Sequence, residues 1–216
     1  MEDEKFHYDV DSLIKRYPEL IACKQSILDA YQLLLTCFSS GHKLLIAGNG
    51  GSCADGEHIC GELMKGFKKK RPCSKEFALK LESTDSIRGK ELADKLQGGL
   101  PCIALSCHQG LNTAFSNDVQ NGGLLTFAQQ VYVYGNEGDV LLGISTSGTS
   151  KNILYSVITA KAKGMKIIGL TGDNGGELAK ISDVAIKAPS SETFVIQEYH
   201  LPIYHCLCLM LEEKIF

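Results

Sequence analysis

A doubly wound α/β sandwich on a five-stranded parallel sheet is the fold class this sequence predicts, and three observations predict it. Five short apolar runs recur along the 216 residues. Stretches with helical periodicity separate them. Two of the runs end in turns rich in glycine or hydroxyls. Strands alternating with helices build βαβ units, and such units cover a parallel sheet on both faces. At roughly 150 residues per domain the chain makes one domain, 1–216, with elaborations. Its composition, 44% hydrophobic and 22% charged, excludes a disordered tail, a collagen-like chain and a coiled-coil rod.

Each element can be justified in order. After a polar start, Pro18 opens a helix whose apolar residues fall at Leu20, Ile21, Ile27, Leu28, Tyr31, Leu34, Leu35 and Phe38. Proline suits a first helical turn, so one long helix is expected to fill the N-terminal helical segment 1–40. Residues 43–47 form a buried strand closed by Gly48-Asn49-Gly50-Gly51. A second helix follows from about Cys53. Residues 70–100 interrupt the alternation as a charge-rich insertion, within which 87–96 form a short amphipathic helix. Further strands are expected at 101–106, 139–144, 166–170 and 183–187, and further helices at 150–163 and 192–213.

Charge and cysteine usage narrow the function class. With 22 basic against 25 acidic residues, the net charge of −3 makes no electrostatic case for nucleic acid or an anionic membrane. The basic run Lys68-Lys69-Lys70-Arg71 suits a helix end, where cations complement the dipole. No apolar run reaches the ~18 residues that span a bilayer, and the acidic Met1-Glu2-Asp3-Glu4 lacks the features of a signal peptide. Nine cysteines, an odd number with no CxxC pair, read as free thiols packing as small hydrophobes. The expectation is a reduced, cytoplasmic protein.

Two turns carry the chemistry. In open α/β sheets, ligands bind beyond the carboxyl ends of the strands. Gly48-Asn49-Gly50-Gly51-Ser52 lets the backbone approach a ligand and hands it the N-terminus of a helix. It has neither the Gly-Lys-Ser/Thr ending of a Walker loop nor the third glycine of a dinucleotide fingerprint. Ser145-Thr146-Ser147-Gly148-Thr149-Ser150 places five hydroxyls in six residues at the end of another strand. Two donor-rich turns without a lysine suit a phosphomonoester, and a sugar phosphate better than a nucleotide.

These two turns resemble those of sugar isomerase (SIS) domains. With His58-Ile59-Cys60-Gly61-Glu62-Leu63, the stretch Gly138 to Gly148, and Gln197-Glu198-Tyr199-His200 with His205, the chain is most similar to phosphoheptose isomerases. The resemblance runs from about Gly41 to the C-terminus, leaving out Cys73 to Leu100. It implies a flavodoxin-like three-layer sandwich and an aldose–ketose isomerase acting on sedoheptulose 7-phosphate. It also implies a homotetramer with sites at subunit interfaces.

Residue by residue, the resemblance implies Glu62 and His205 as the catalytic pair. Moving a proton between adjacent carbons through an enediol needs a carboxylate base and a second group to serve the oxygens, and histidine can exchange roles near neutral pH. Taken alone, Glu62 reads as an exposed helix carboxylate and His205 as a histidine in an apolar helix. A zinc ion on His58, Glu62, Gln197 and His205 is also implied. His58 and Glu62 share a helix face, whereas Gln197 and His205, eight apart, lie ~12 Å apart along a straight helix. Either Pro202 kinks that helix or two subunits share the site. Implied substrate contacts are Asn49, Gly50, Gly51, Ser52, Asn117, Asp118, Ser145, Thr146, Ser147, Ser150 and Gln197.

The sequence departs from the family at Cys53, where histidine is frequent, at Phe194 in place of a sugar-contacting aspartate, at Thr149 in place of asparagine, and in the long insertion. An alternative reading is a non-catalytic SIS module that binds a phosphosugar or a replication initiator. Such relatives lack the terminal-helix histidine, so His205 favours the enzyme. No helix-turn-helix segment points to a transcriptional regulator.

Overall fold

The computed structural model describes residues 8–216. Its sheet has five parallel strands, β1 (Leu44–Gly48), β2 (Cys102–Ala104), β3 (Val140–Ile144), β4 (Lys166–Thr171) and β5 (Val184–Lys187), in the order β2-β1-β3-β4-β5. Parallel registers pair Leu44 with Cys102 and with Val140, Val140 with Lys166, and Ile168 with Val184. The expected fold class is therefore the observed one.

Side chains alternate across the sheet with the period of two that a strand imposes. Leu44, Ile46, Leu142, Ile168 and Ile186 enter one buried cluster. Leu45, Ala47, Leu141 and Ile167 enter the other. The first cluster is closed by α2 (Lys24–Ser39), α3 (Gly51–Met64) and α10 (Thr193–Ile215) through Ile27, Ile59, Leu63, Ile203 and Leu207. The second is closed by α7 (Gly122–Tyr134), α8 (Lys151–Ala162) and α9 (Gly176–Ile181) through Phe127, Val131, Ile153, Val157 and Leu178. The central strands β1, β3 and β4 are thus buried on both sides, which is why their sequences read as continuous apolar runs.

The N-terminal segment corrects one expectation. It is not a single long helix but α1 (Val10–Arg16), a 3-10 stretch at Pro18–Cys23, and α2. Asp9 caps α1, its side chain accepting from the Ser12 N–H at 2.8 Å. Tyr17, at φ −133° and ψ 78°, leaves helical geometry because the residue before a proline is driven out of the α region. The second strand is also shorter than 101–106, since Leu105–Cys107 turn into a 3-10 stretch. α6 (Gln109–Asp118) then leads into α7.

The insertion is a helical hairpin of α4 (Lys75–Thr84) and α5 (Arg88–Lys95). The second helix matches expectation, whereas the first was not anticipated. Ser74 caps α4 by accepting from the Phe77 N–H. Pro72 and Gln97 bridge in antiparallel fashion at the hairpin's base, and the Gly98 N–H donates to the Arg71 carbonyl at 2.7 Å.

Arg71 pins that base to the last helix. Its buried side chain pairs with Glu212 at 2.8 Å and donates to the Leu63 carbonyl at 2.9 Å. Glu212 also accepts from the N–H groups of Phe67 and Lys68 at 2.8 and 2.9 Å. Burial pushes the Glu212 carboxyl up, but those N–H donors and Arg71 outweigh it and hold it below its ordinary value. Lys69 donates to the Glu213 carbonyl, so the basic run does complement a helix C-terminus, that of α10.

All nine cysteines are free, and Cys23, Cys37, Cys60, Cys102, Cys206 and Cys208 are buried. Burial pushes the Cys23 and Cys37 thiols up to about 11 and Cys206 to about 12, as expected for inert packing groups. Among the described residues, no helix is long and apolar enough to cross a membrane.

Candidate active site

The strand order places a topological switch point between β1 and β3. The chain leaves β1 toward β2 on one side, and β3 toward β4 on the other, so a crevice opens beyond their carboxyl ends. Both unusual turns lie there. Gly48 must be glycine, because a Cβ would stand 2.3 Å from the Ser52 carbonyl oxygen. Gly50 takes φ 54°, and α3 starts at Gly51. Ser52 is buried at this N-terminus.

In the second turn, Ser145 and Ser150 hydroxyls meet at 3.0 Å, as do those of Ser147 and Thr149. Gly148 takes φ 65° and packs against Gly175 and Gly176. Thr146 lies between these pairs, and its carbonyl accepts from Gly172. The two turns are joined side chain to side chain. Asn49 donates to Asn152 at 3.0 Å and Asn152 donates back at 2.7 Å. Two helix N-termini and a set of hydroxyls therefore face one crevice, which is what a phosphate needs.

Gln197 belongs to this end. A Cβ on Gly51 would lie 2.7 Å from the Gln197 amide nitrogen. Asn117 and Asp118 do not reach it within one chain. They end α6 as an exposed pair, with the Asn117 amide donating to Asp118 at 2.9 Å, so the structure gives them no site contact.

The catalytic candidates gather farther along α3. Asp55, His58 and Glu62 are spaced three and four apart and form one stripe of the helix. α10 packs against that stripe and brings Tyr204 and His205. His58 Nε2 lies 3.3 Å from Glu62 Oε1, and Lys65 Nζ lies 3.0 Å from Glu62 Oε2. The His205 ring centroid is 5.0 Å from that of His58, 5.1 Å from Tyr204 and 5.4 Å from Phe67.

The environment suits proton transfer. Burial lowers the His205 pKa, and nearby His58 lowers it further, while Glu62 pulls it up. His205 Nε2 is buried without a hydrogen-bond partner, as a ring nitrogen reserved for a proton or a ligand would be. Asp55, Lys65 and Tyr204 were missed in the sequence. Asp55 and Lys65 carried a usable signal, their spacing of three from His58 and Glu62 on one helix. Tyr204 carried none beyond its place beside His205.

The implied zinc set divides within one chain. His58, Glu62 and His205 have the donor chemistry and gather together. Gln197 does not reach them, because α10 runs unbroken through Pro202 and holds it two turns away, against Gly51. Among the described residues, no group of three His, Cys, Asp or Glu has an arrangement able to hold a metal ion.

Comparison with known proteins agrees with this geometry. The SIS domain family pattern matches residues 98–172. A phosphoheptose isomerase of Burkholderia pseudomallei is 39% identical over 197 residues, covering 91% of this chain and 84% of the relative. That of Aneurinibacillus thermoaerophilus is 40% identical over 179 residues, covering 83% and 76%. A solved phosphoheptose isomerase from Francisella tularensis superposes with a TM-score of 0.75 at 32% identity, over 95% of each chain. One from Neisseria gonorrhoeae gives 0.69 at 30%, over 92% and 93%. Fold, crevice and sequence lead to one assignment: this chain belongs to the phosphoheptose isomerase family of SIS-domain enzymes.

Proposed function

We infer that the protein interconverts sedoheptulose 7-phosphate and D-glycero-D-manno-heptose 7-phosphate through an enediol. The observation that carries this reading is the meeting of Glu62 and His205 beside His58, on the same helix whose N-terminus opens the phosphate crevice. Glu62 takes the proton from the carbon next to the carbonyl and returns it to the neighbouring carbon. His205, neutral near pH 7 because burial lowers its pKa, accepts and returns the hydroxyl proton. Ser52, Ser145, Ser147 and Ser150, with the backbone of Gly50, Gly51 and Thr146, hold the phosphate. Asn49 faces the sugar.

The site is shared between two copies of the chain. Glu62 lies ten residues beyond Ser52 on α3, hence ~15 Å along its axis. His205 lies eight residues beyond Gln197 on α10, ~12 Å along its axis. The phosphate turns and the catalytic group thus lie at separate places along both helices. The phosphate turns and Gln197 of one copy therefore work with His58, Glu62 and His205 of another, within a homotetramer. Exposed Tyr132, Val133 and Ile158 on α7 and α8, and Phe194 and Leu201 on α10, offer apolar surface for the contacts. The same sharing would bring Gln197 to the other three zinc donors. Metal content of the native protein against Gln197→Ala tests that, and equal zinc in both would refute it. A cytoplasmic location remains the reading of the reduced thiols.

The deciding experiment follows sedoheptulose 7-phosphate by carbon NMR. Native protein is expected to convert it, with Glu62→Gln and His205→Ala reduced about 10²–10⁴-fold. Saturable binding without turnover in the native protein would instead identify a binding module.

A further inference from the structure

Two residues outside the catalytic pair meet at His58. The Tyr204 hydroxyl lies 3.0 Å from His58 Nδ1 and donates to Asp55 Oδ1 at 3.2 Å. Tyr204 is almost fully buried at 3% exposure, and Asp55 Oδ2 is buried without a partner. The three side chains come from one stripe of α3 and the facing turn of α10. The contact is therefore fixed by helix packing.

A phenol has one hydrogen to give. Asp55 as a carboxylate only accepts, so the Tyr204 hydrogen goes to Asp55 and its lone pair faces His58. Nδ1 must then carry the ring hydrogen. In the neutral ring His58 Nε2, 3.3 Å from Glu62 Oε1, is then left with a lone pair. We propose that Asp55 and Tyr204 are positioning residues that hold His58 in its Nδ1–H tautomer, so that Nε2 cannot donate to Glu62. The consequence is direct. In the other tautomer, Nε2–H would bond the carboxylate and occupy the oxygen that acts as base. With Nε2 bare, its lone pair and the carboxylate oxygen stand side by side as two acceptors for a substrate hydroxyl or a cation. A ring nitrogen anchored from behind is the usual way to fix an imidazole's orientation.

This inference rests on the site read above, and its test does not depend on turnover. Ring nitrogen shifts of 15N-labelled histidines are recorded at pH 8 after chelator treatment, with His58 assigned by difference from His58→Gln. Native protein is expected to show the Nδ1–H form. Tyr204→Phe keeps the ring packing against His58 and His205 but removes the acceptor. Asp55→Ala frees the Tyr204 hydrogen to turn toward Nδ1. Both are expected to move His58 to the Nε2–H form, and to lower kcat about 10–100-fold with KM nearly unchanged. An Nε2–H form in the native protein overturns the proposal even if no variant folds. So does an unchanged Nδ1–H form in either variant. Loss of native turnover with the expected tautomers would instead count against the isomerase reading alone.

Discussion

Asn49 and Asn152 exchange two hydrogen bonds across the mouth of the crevice, at 3.0 and 2.7 Å, one residue following β1 and the other beginning α8. This pair bridges the two phosphate turns side chain to side chain, and it sets the distance between two helix N-termini. Asn152→Ala should therefore loosen the cradle without unfolding the protein. Exposed hydrogen bonds are each worth about 0.5–1.5 kcal/mol at most, so KM should rise about 3–10-fold with little change in stability. Steady-state kinetics and a urea melt check both halves.

Site sharing predicts complementation. Glu62→Gln lacks the base, and the double variant Ser147→Ala/Ser150→Ala lacks phosphate ligands. Each should be nearly inactive alone. Mixed tetramers formed by co-refolding should regain activity, because some sites combine an intact cradle with an intact catalytic pair. No recovery would mean that both sets act within one chain.

His200 makes stability depend on pH. It is fully buried, its Nε2 lies 3.3 Å from the Thr171 carbonyl, and burial lowers its pKa to about 4. Its folded pKa lies below the unfolded value near 6.5, so the unfolded chain binds the proton first. The contribution is complete above pH ~6.5 and is lost as the pH falls toward 4, amounting to about 3 kcal/mol. Glu212, held below its ordinary pKa, loses its own contribution at lower pH. Denaturation midpoints between pH 7 and 5 should fall steeply in native protein and less in His200→Gln.

The buried Arg71–Glu212 pair ranks two substitutions. Glu212→Ala strands the guanidinium and two N–H donors, and should cost about 3–5 kcal/mol. Arg71→Met leaves Glu212 with its N–H donors from Phe67 and Lys68, and should cost less. Urea unfolding gives the order.

Much of this molecule was legible in advance because its central strands are buried on both faces. The runs at Leu44–Gly48 and Val140–Ile144 could hardly be anything else. The two turns were legible because glycine and clustered hydroxyls are poor core material. What sequence could not show was contact. Tyr204 meets Asp55 and His58 only because α10 crosses α3, and Gln197 parts from His205 only because α10 stays helical through Pro202. Asn117 and Asp118 are a site pair by family resemblance alone, and within one chain they make no contact with the two turns. Pro18 marks a helix start in the sequence, but its steric effect on Tyr17 also ends α1, so one helix becomes two. The helix α4 was overlooked among charges, although Ser74 marks its beginning.

The hairpin of α4 and α5 leaves the domain at Pro72 and returns beside it at Gln97, where the two residues bridge. Both ends are thus held by the core itself, whatever lies between them. A segment rooted this way is free to lengthen, shorten or change its surface over evolution without disturbing the sheet. The hairpin can therefore vary while the crevice beyond β1 and β3 stays intact.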